Sequence, residues 1–257
     1  MYQVDAFTDK LFSGNPAAVV ILVSPLQDDV MQSIAAENNL SETAFVSIYE
    51  SPVSIRWFTP SIEVDLCGHA TLASARILFE YYADLAGEEI NFDSKSGNLK
   101  ITKFDRGLCL NFPADYPAEA ESDSLFFEIL GIKPLKLLRG KDDYLAIFKS
   151  QKQIEEMKPK FSLLKKVDAR GLVISAPGDD VDFVSRCFFP STGVLEDPVT
   201  GSAHTSLIPY WSKRLNKTKL IANQLSQRGG ILYCENMDER VLIGGNSVLY
   251  LKGEIFI

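Results

Sequence analysis

Short apolar runs separated by polar turns dominate this chain, and they predict many strands and few helices. Tyr2 to Phe7 and Ala17 to Val23 read as strands on either side of a turn at Ser13-Gly14-Asn15-Pro16. Between Asp28 and Glu37 the apolar residues Val30, Met31, Ile34 and Ala35 recur at helical spacing, and Asn38-Asn39 supplies a stop. Strands follow at Glu42–Tyr49 and Val53–Phe58. A helix from Gly68 to about Tyr82 is apolar nearly all round, which marks it as buried rather than amphipathic. Glu89–Phe92, Leu99–Phe104 and Leu108–Phe112 read as three more strands.

The segment Pro113–Ser122, with two prolines and three acidic residues, reads as a boundary. It divides the chain into residues 1–115 and 116–257, with the last strand free to pack on the first half. Beyond it come a helix at Ser124–Leu130, strands near Leu135–Arg139 and Tyr144–Lys149, a helix near Ile154–Met157 and a strand at Gly171–Ser175. Ala203–Leu215 reads as a second apolar helix. Thr218–Ile221, Gly230–Cys234, Val241–Ile243 and Val248–Ile257 close the chain as strands. Each half thus offers many strands and one central apolar helix, which a curled sheet can bury. Alternating βαβ units of a doubly wound sheet are not evident.

One pattern occurs twice. Arg56-Trp57-Phe58-Thr59-Pro60-Ser61 leads to Cys67-Gly68-His69-Ala70, and Arg186-Cys187-Phe188-Phe189-Pro190-Ser191 leads to Thr200-Gly201-Ser202-Ala203. The first parts are 130 residues apart and the second parts 133, about half the chain length, which points to two related halves.

Composition narrows the function. Hydrophobic content of 46% and charged content of 23% are those of an ordinary soluble globular protein. No stretch approaches the roughly 18 uncharged apolar residues of a membrane span, and the N-terminus lacks a signal-like pattern, so a cytoplasmic protein is expected. A net charge of −8 argues against nucleic acid as partner. Cys67, Cys109, Cys187 and Cys234 form no CxxC pair, and with His69 and His204 as the two histidines neither a zinc site nor a disulfide framework is expected. No dinucleotide-binding or phosphate-loop glycine pattern is present.

Gly68-His69 and Gly201-Ser202 each stand at a predicted helix start, where unpaired N–H groups and the helix dipole attract carboxylates. His69 could donate to a ligand or move a proton near neutral pH. Asp197 reads equally as a cap for its loop or as a group that orients His69 or a ligand amine. Glu42 opens an apolar strand; in a dry cleft it would be a base for a carbon-bound proton. Glu63, Asp65, Glu196 and the Asp142-Asp143 pair read as loop surface. Cys67 precedes one helix start, but its counterpart is Thr200, so a two-thiol racemase mechanism is disfavoured.

Taken together, Asp5-Ala6-Phe7, Phe12-Ser13-Gly14-Asn15-Pro16, Leu40-Ser41-Glu42-Thr43-Ala44-Phe45, Glu63-Val64-Asp65-Leu66-Cys67-Gly68-His69-Ala70-Thr71, Glu196-Asp197-Pro198-Val199-Thr200-Gly201-Ser202-Ala203 and Gln227-Arg228-Gly229-Gly230 run nearly end to end. In that order they resemble the PhzF-like phenazine-biosynthesis family, related in fold to diaminopimelate epimerase. The resemblance implies an α+β protein of two pseudo-symmetric domains. Each would be a bent, mostly antiparallel sheet or barrel around a central helix, with the active site between them. It implies a homodimeric, cofactor-independent isomerase that needs neither metal nor organic cofactor. In the phenazine enzyme a glutamate shuttles a proton between ring carbons of a dihydro-hydroxyanthranilic acid. That glutamate falls on Glu42, and the accompanying histidine, aspartate and serine fall on His69, Asp197 and Ser202. Backbone N–H groups around Gly68 and Gly201 would hold the substrate carboxylate.

The expected activity is therefore proton transfer on a small carboxylic acid, with Glu42, His69 and Asp197 catalytic and Gly68, Gly201 and Ser202 binding the substrate. Two alternatives stand beside it. One is an epimerase variant that uses Cys67 with Glu42; the other is a non-catalytic dimeric binding protein.

Overall fold

The structure, a computed structural model, describes residues 1–121 and 124–257; Ser122, the end of the predicted boundary segment, lies outside the described residues. The chain forms two compact units. One holds Met1–Phe112 with Ile243–Ile257, and the other Pro113–Leu242.

The first unit opens with β1 (Tyr2–Ala6), β2 (Asn15–Leu22), α1 (Asp28–Asn38), β3 (Glu42–Ser47), β4 (Ser54–Phe58) and β5 (Glu63–Val64). It continues with α2 (Gly68–Tyr81), α3 (Ala83–Ala86), β6 (Glu89–Phe92), β7 (Leu99–Phe104) and β8 (Gly107–Pro113). The second unit holds β9 (Ala118–Glu119), α4 (Ser124–Leu130), β10 (Lys136–Arg139), β11 (Asp143–Ile147), α5 (Gln151–Glu155) and α6 (Phe161–Leu164). Then come β12 (Gly171–Pro177), β13 (Phe183–Phe189), β14 (Val194–Asp197), α7 (His204–Leu215), β15 (Lys219–Gln224), β16 (Gly230–Met237) and β17 (Arg240–Gly245). The chain ends in the first unit with β18 (Ser247–Lys252), and Gly253 closes its pairing by bonding back to the Met1 carbonyl. The last strand is therefore shorter than the predicted run to Ile257.

In the first unit the main sheet has the order β18-β1-β2-β3-β4-β5, antiparallel except for the β2–β3 pair. Helix α1 packs on β3 and β4, and α2 packs on β1, β2, β3 and β18. The two helices cover this sheet, so residues 17–20 of β2 and 43–47 of β3 are buried without alternation. Strands β6, β7 and β8 pair antiparallel; β6 alternates buried with exposed positions and β8 buried with half-buried ones.

Helix α2 buries ten of its fourteen residues, as its all-round apolar sequence requires. Its polar interior residues satisfy themselves locally: Thr71 and Ser74 donate to the carbonyls of Cys67 and Ala70. Helix α1 ends at Asn39, whose left-handed conformation (φ 50°) explains the stop read from Asn38-Asn39.

The second unit repeats this connectivity. The pairs β10–β11, β12–β13 and β13–β14 are antiparallel and β11–β12 is parallel, matching β1–β2, β3–β4, β4–β5 and β2–β3 in turn. Each unit therefore contains a parallel crossover through helix, and the second unit adds a parallel β13–β15 pair; the sequence pattern revealed none of these. Both sheets are mostly antiparallel and mixed, and neither closes into a barrel. In α7, Pro209 cannot donate to the Thr205 carbonyl. The Asp115 N–H takes that carbonyl at 3.1 Å, and the Asp115 carboxylate accepts from Ser206 at 2.6 Å.

Among the described residues no helix is long and apolar enough to cross a membrane. None of the four cysteines forms a disulfide.

Candidate active site

The duplicated motif has a physical basis that sequence reasoning misassigned. In the first unit Arg56 on β4 forks onto Glu63 on β5, with Nε to Oε1 at 2.7 Å and Nη2 to Oε2 at 2.9 Å. In the second, Arg186 on β13 forks onto Glu196 on β14 at the same two distances. Glu63 and Glu196 are therefore not loop surface. Each is half of a bidentate pair that straps the returning strand to its neighbour just before the reactive motif. The Arg56 guanidinium holds the Glu63 carboxyl below the usual carboxylate range. Asp143 was also misassigned, since it is buried, whereas Asp65 and Asp142 are exposed as expected.

Glu42, His69 and Cys67 come together in the first unit. Glu42 is the first residue of β3, and Cys67 is the N-cap of α2, which has no side-chain cap. His69 follows in the first turn, with its ring 4% exposed. The Asn15 amide, at the start of β2, lies 3.2 Å from His69 Nδ1, and Cys67 Sγ lies 3.5 Å from the same nitrogen. An amide nitrogen can only donate, so Nδ1 accepts and the proton resides on Nε2. Glu42 Oε2 lies 3.3 Å from Nε2, which makes no hydrogen bond among the described residues.

This contact is not an ion pair. Burial holds His69 at a pKa of about 3, so the ring is neutral at physiological pH. A neutral imidazole with its N–H beside a carboxylate can donate to a ligand or relay a proton.

Glu42, Cys67 and His69 place ligating atoms within 4.8 Å of one another, a cluster the sequence did not lead one to expect. The thiol lies 3.5 Å from Nδ1 and the carboxylate 3.3 Å from Nε2, so the ring stands between them.

The second motif differs in detail. Helix α7 starts at His204, not at Gly201. Gly201, Ser202 and Ala203 form a tight turn whose carbonyls accept from the N–H groups three residues on, His204 to Gly201 at 3.0 Å and Thr205 to Ser202 at 3.1 Å. His204 donates from Nδ1 to the Thr200 carbonyl at 2.8 Å, and burial lowers its pKa to about 4. It is a structural histidine.

Asp197 is buried and accepts from the Thr200 hydroxyl, so the loop-capping role read from the sequence is present. Gln224, which the sequence did not single out, pins the same loop. Its carbonyl accepts from the Thr200 N–H at 2.9 Å and its amide donates to the Asp197 carbonyl at 2.8 Å.

Arg170 was also missed. Its guanidinium forks onto Asp143, donates to Ser202 Oγ at 3.2 Å and lies 5.1 Å from the centre of the Phe189 ring. Strand register gives a signal that could have found it. Phe45 pairs with Arg56 in the first unit and Ile174 with Arg186 in the second, so Glu42 corresponds to Gly171, the neighbour of Arg170. A Cβ on Gly171 would lie 2.2 Å from the Phe189 ring and 2.4 Å from the Phe188 carbonyl oxygen. The second unit has no room for a side chain where the first places its glutamate.

A family model described as phenazine biosynthesis-like protein (PhzC-PhzF) matches residues 4–253. A protein of Pseudomonas aeruginosa named an uncharacterized isomerase is 50% identical over 254 residues, which span 99% of this chain and 97% of that protein. The crystal structure of a PhzF-family phenazine biosynthesis protein from Enterococcus faecalis is 48% identical, covering 100% of this chain and 98% of that one, with a TM-score of 0.96. A hydroxyproline epimerase from Agrobacterium vitis, at 10% identity and a TM-score of 0.60, covers 97% of this chain and 90% of that one and shares the fold.

Proposed function

Since this chain belongs to the phenazine biosynthesis-like (PhzC-PhzF) family and is an isomerase, we propose that it moves a carbon-bound proton on a small carboxylic acid without metal or organic cofactor. Glu42 removes the proton and returns it at the new position. His69 donates from Nε2 to the developing negative charge or passes the proton on. Asp197 holds a polar group of the substrate, and Ser202 binds its acid function together with the backbone at Gly68 and Gly201. A positioned base contributes about 10²–10⁴-fold; orientation and stabilisation of the enolate-like charge supply the rest. The observation that carries this reading is the approach of Glu42 Oε2 to within 3.3 Å of the Nε2 of a neutral, buried His69. A cytoplasmic homodimer completes the proposal, and light scattering in solution tests the assembly.

The deciding experiment incubates a panel of small unsaturated and α-acidic carboxylic acids with the protein in heavy water. Deuterium entering at carbon with the wild type, and not with Glu42→Gln, supports the reading. Binding of these acids without exchange would sink it for them and favour the non-catalytic binding protein.

A further inference from the structure

We propose that Arg170 is the positioning residue that makes Ser202 an obligate hydrogen-bond donor and biases its site toward an anionic oxygen. The proposal rests on the reading that Ser202 binds the substrate. A guanidinium donates and never accepts, so Ser202 Oγ must accept from Arg170 Nη1 across their 3.2 Å contact. The hydroxyl's own proton is then directed away from Arg170, toward whatever acceptor a ligand brings. Asp143 neutralises the pair as a whole but grips Nε and Nη2, so the positive end of the ion pair points at Ser202. An oxyanion beside Ser202 meets a donor backed by a cation; a neutral amide meets the same donor but gains little from the charge.

The local structure is arranged to hold this geometry. The Asp143 carboxylate fixes the guanidinium plane through two bonds, and the Arg170 N–H is anchored to the Asp142 carbonyl at 2.9 Å. The Phe189 ring lies 5.1 Å from the guanidinium carbon, and the missing side chain at Gly171 is what lets that ring come so close. The first unit has Thr59 at the position of Phe189 and Glu42 at that of Gly171. Where the first half carries a carboxylate, the second thus has a glycine, preceded by a clamped cation.

Benzoate and benzamide are the probes, titrated into the protein and followed by NMR. Wild type should bind benzoate at least about tenfold tighter than benzamide, the scale of one charge-assisted hydrogen bond. Arg170→Met should erase that preference by weakening benzoate and leaving benzamide unchanged. Arg170→Lys should recover benzoate to within about threefold, because it restores the charge without the fork. Ser202→Ala added to Arg170→Met should weaken benzoate and benzamide alike and leave their ratio near one.

Arg170→Met strands a buried carboxylate, so the double variant Arg170→Met, Asp143→Asn provides a folded control with no unpaired charge. An unchanged benzoate-to-benzamide ratio in that folded double variant overturns the proposal, as does a wild type that binds no benzoate. Glu42→Gln should keep the ratio while losing exchange. A ratio near one in a wild type that still exchanges deuterium would therefore sink this inference alone. Absence of exchange with the ratio intact would sink the isomerisation proposal alone.

Discussion

Acid should destabilise this protein through two neutral histidines before its carboxylates take up protons. His69 is held at about 3 and His204 at about 4, both by burial, against 6.5 for a free imidazole. Both native values are depressed, so above pH 6.5 the residues are neutral in both states and leave stability unchanged. Below it the unfolded chain binds protons that the native protein refuses, and stability falls as pH falls toward the native values. At pH 4.5 the unfolded imidazoles sit two units below their free value while the native ones are still largely neutral. At about 1.4 kcal/mol per unit, each histidine then favours the unfolded chain by about 2–3 kcal/mol and the pair by about 5 kcal/mol. Total stabilities are about 5–15 kcal/mol, so that loss brings the protein close to unfolding.

The assay is urea unfolding at pH 7.5 and 4.5, read by tryptophan fluorescence. Trp57 is buried in the first unit and Trp211 in the second, where its indole donates to Ser175 Oγ at 2.9 Å. Trp57→Phe and Trp211→Phe therefore give a separate reporter for each unit. His69→Gln should shrink the loss between the two pH values by about 2–3 kcal/mol as reported by Trp57, and His204→Gln should do the same as reported by Trp211. Both variants can be less stable at every pH; the difference between the two pH values is what counts. If both lose as much as wild type does, the carboxylates carry the acid sensitivity and the burial argument is wrong.

The remaining predictions concern the scaffold and the thiol. Arg186→Met should cost about 2–3 kcal/mol in urea unfolding and Arg56→Met about 1 kcal/mol, because a charge-assisted fork gains with burial and added acceptors. Arg186 is the more buried, at 14% against 29% side-chain exposure, and also donates to the Ile154 and Met157 carbonyls. Equal costs would show that neither depth nor the extra carbonyls matter. Gly171→Ala should cost about 1–3 kcal/mol, since the new methyl meets a backbone oxygen that cannot move aside; a neutral result would mean β12 and β13 separate freely. Cys67→Ser should keep deuterium exchange within about threefold of wild type, a change of less than about 1 kcal/mol in the barrier. Loss of exchange would revive the one-cysteine epimerase.

Much of the architecture was legible because apolar periodicity and burial coincide. The all-round apolar sequence of α2 predicted a buried helix that begins at Gly68, and the helix expected around Ser124–Leu130 is present. What escaped was short or depended on pairing. Helix α6 is four residues long, too brief to show a period, and β5 and β9 have two residues each. The parallel pairs were invisible because a strand's sequence does not encode its partner's direction. Glu42, Cys67 and His69 could be named as candidates from their residue types, but the pairing of Cys67 and Glu42 with opposite nitrogens of His69 could not. Arg170 lies 27 residues from Asp143 and 32 from Ser202, in a stretch whose composition marks nothing.

The duplication itself held more than was read from it. Arg56 and Arg186 stand 130 residues apart and Glu63 and Glu196 133 apart, so each arginine has a glutamate shortly downstream despite the added residues, and a fork needs both ends. The same register, carried one strand further, places Gly171 opposite Glu42 in the comparison of halves and brings Arg170 forward. Two copies of one unit began with the same strap and the same loop leading to a helix. One now ends in a carboxylate beside a neutral imidazole, the other in a guanidinium behind a serine. The first arrangement suits the proposed proton transfer, and the second suits the proposed hold on an acid. Divergence of this kind explains why the scaffold residues remain matched while the reactive ones do not.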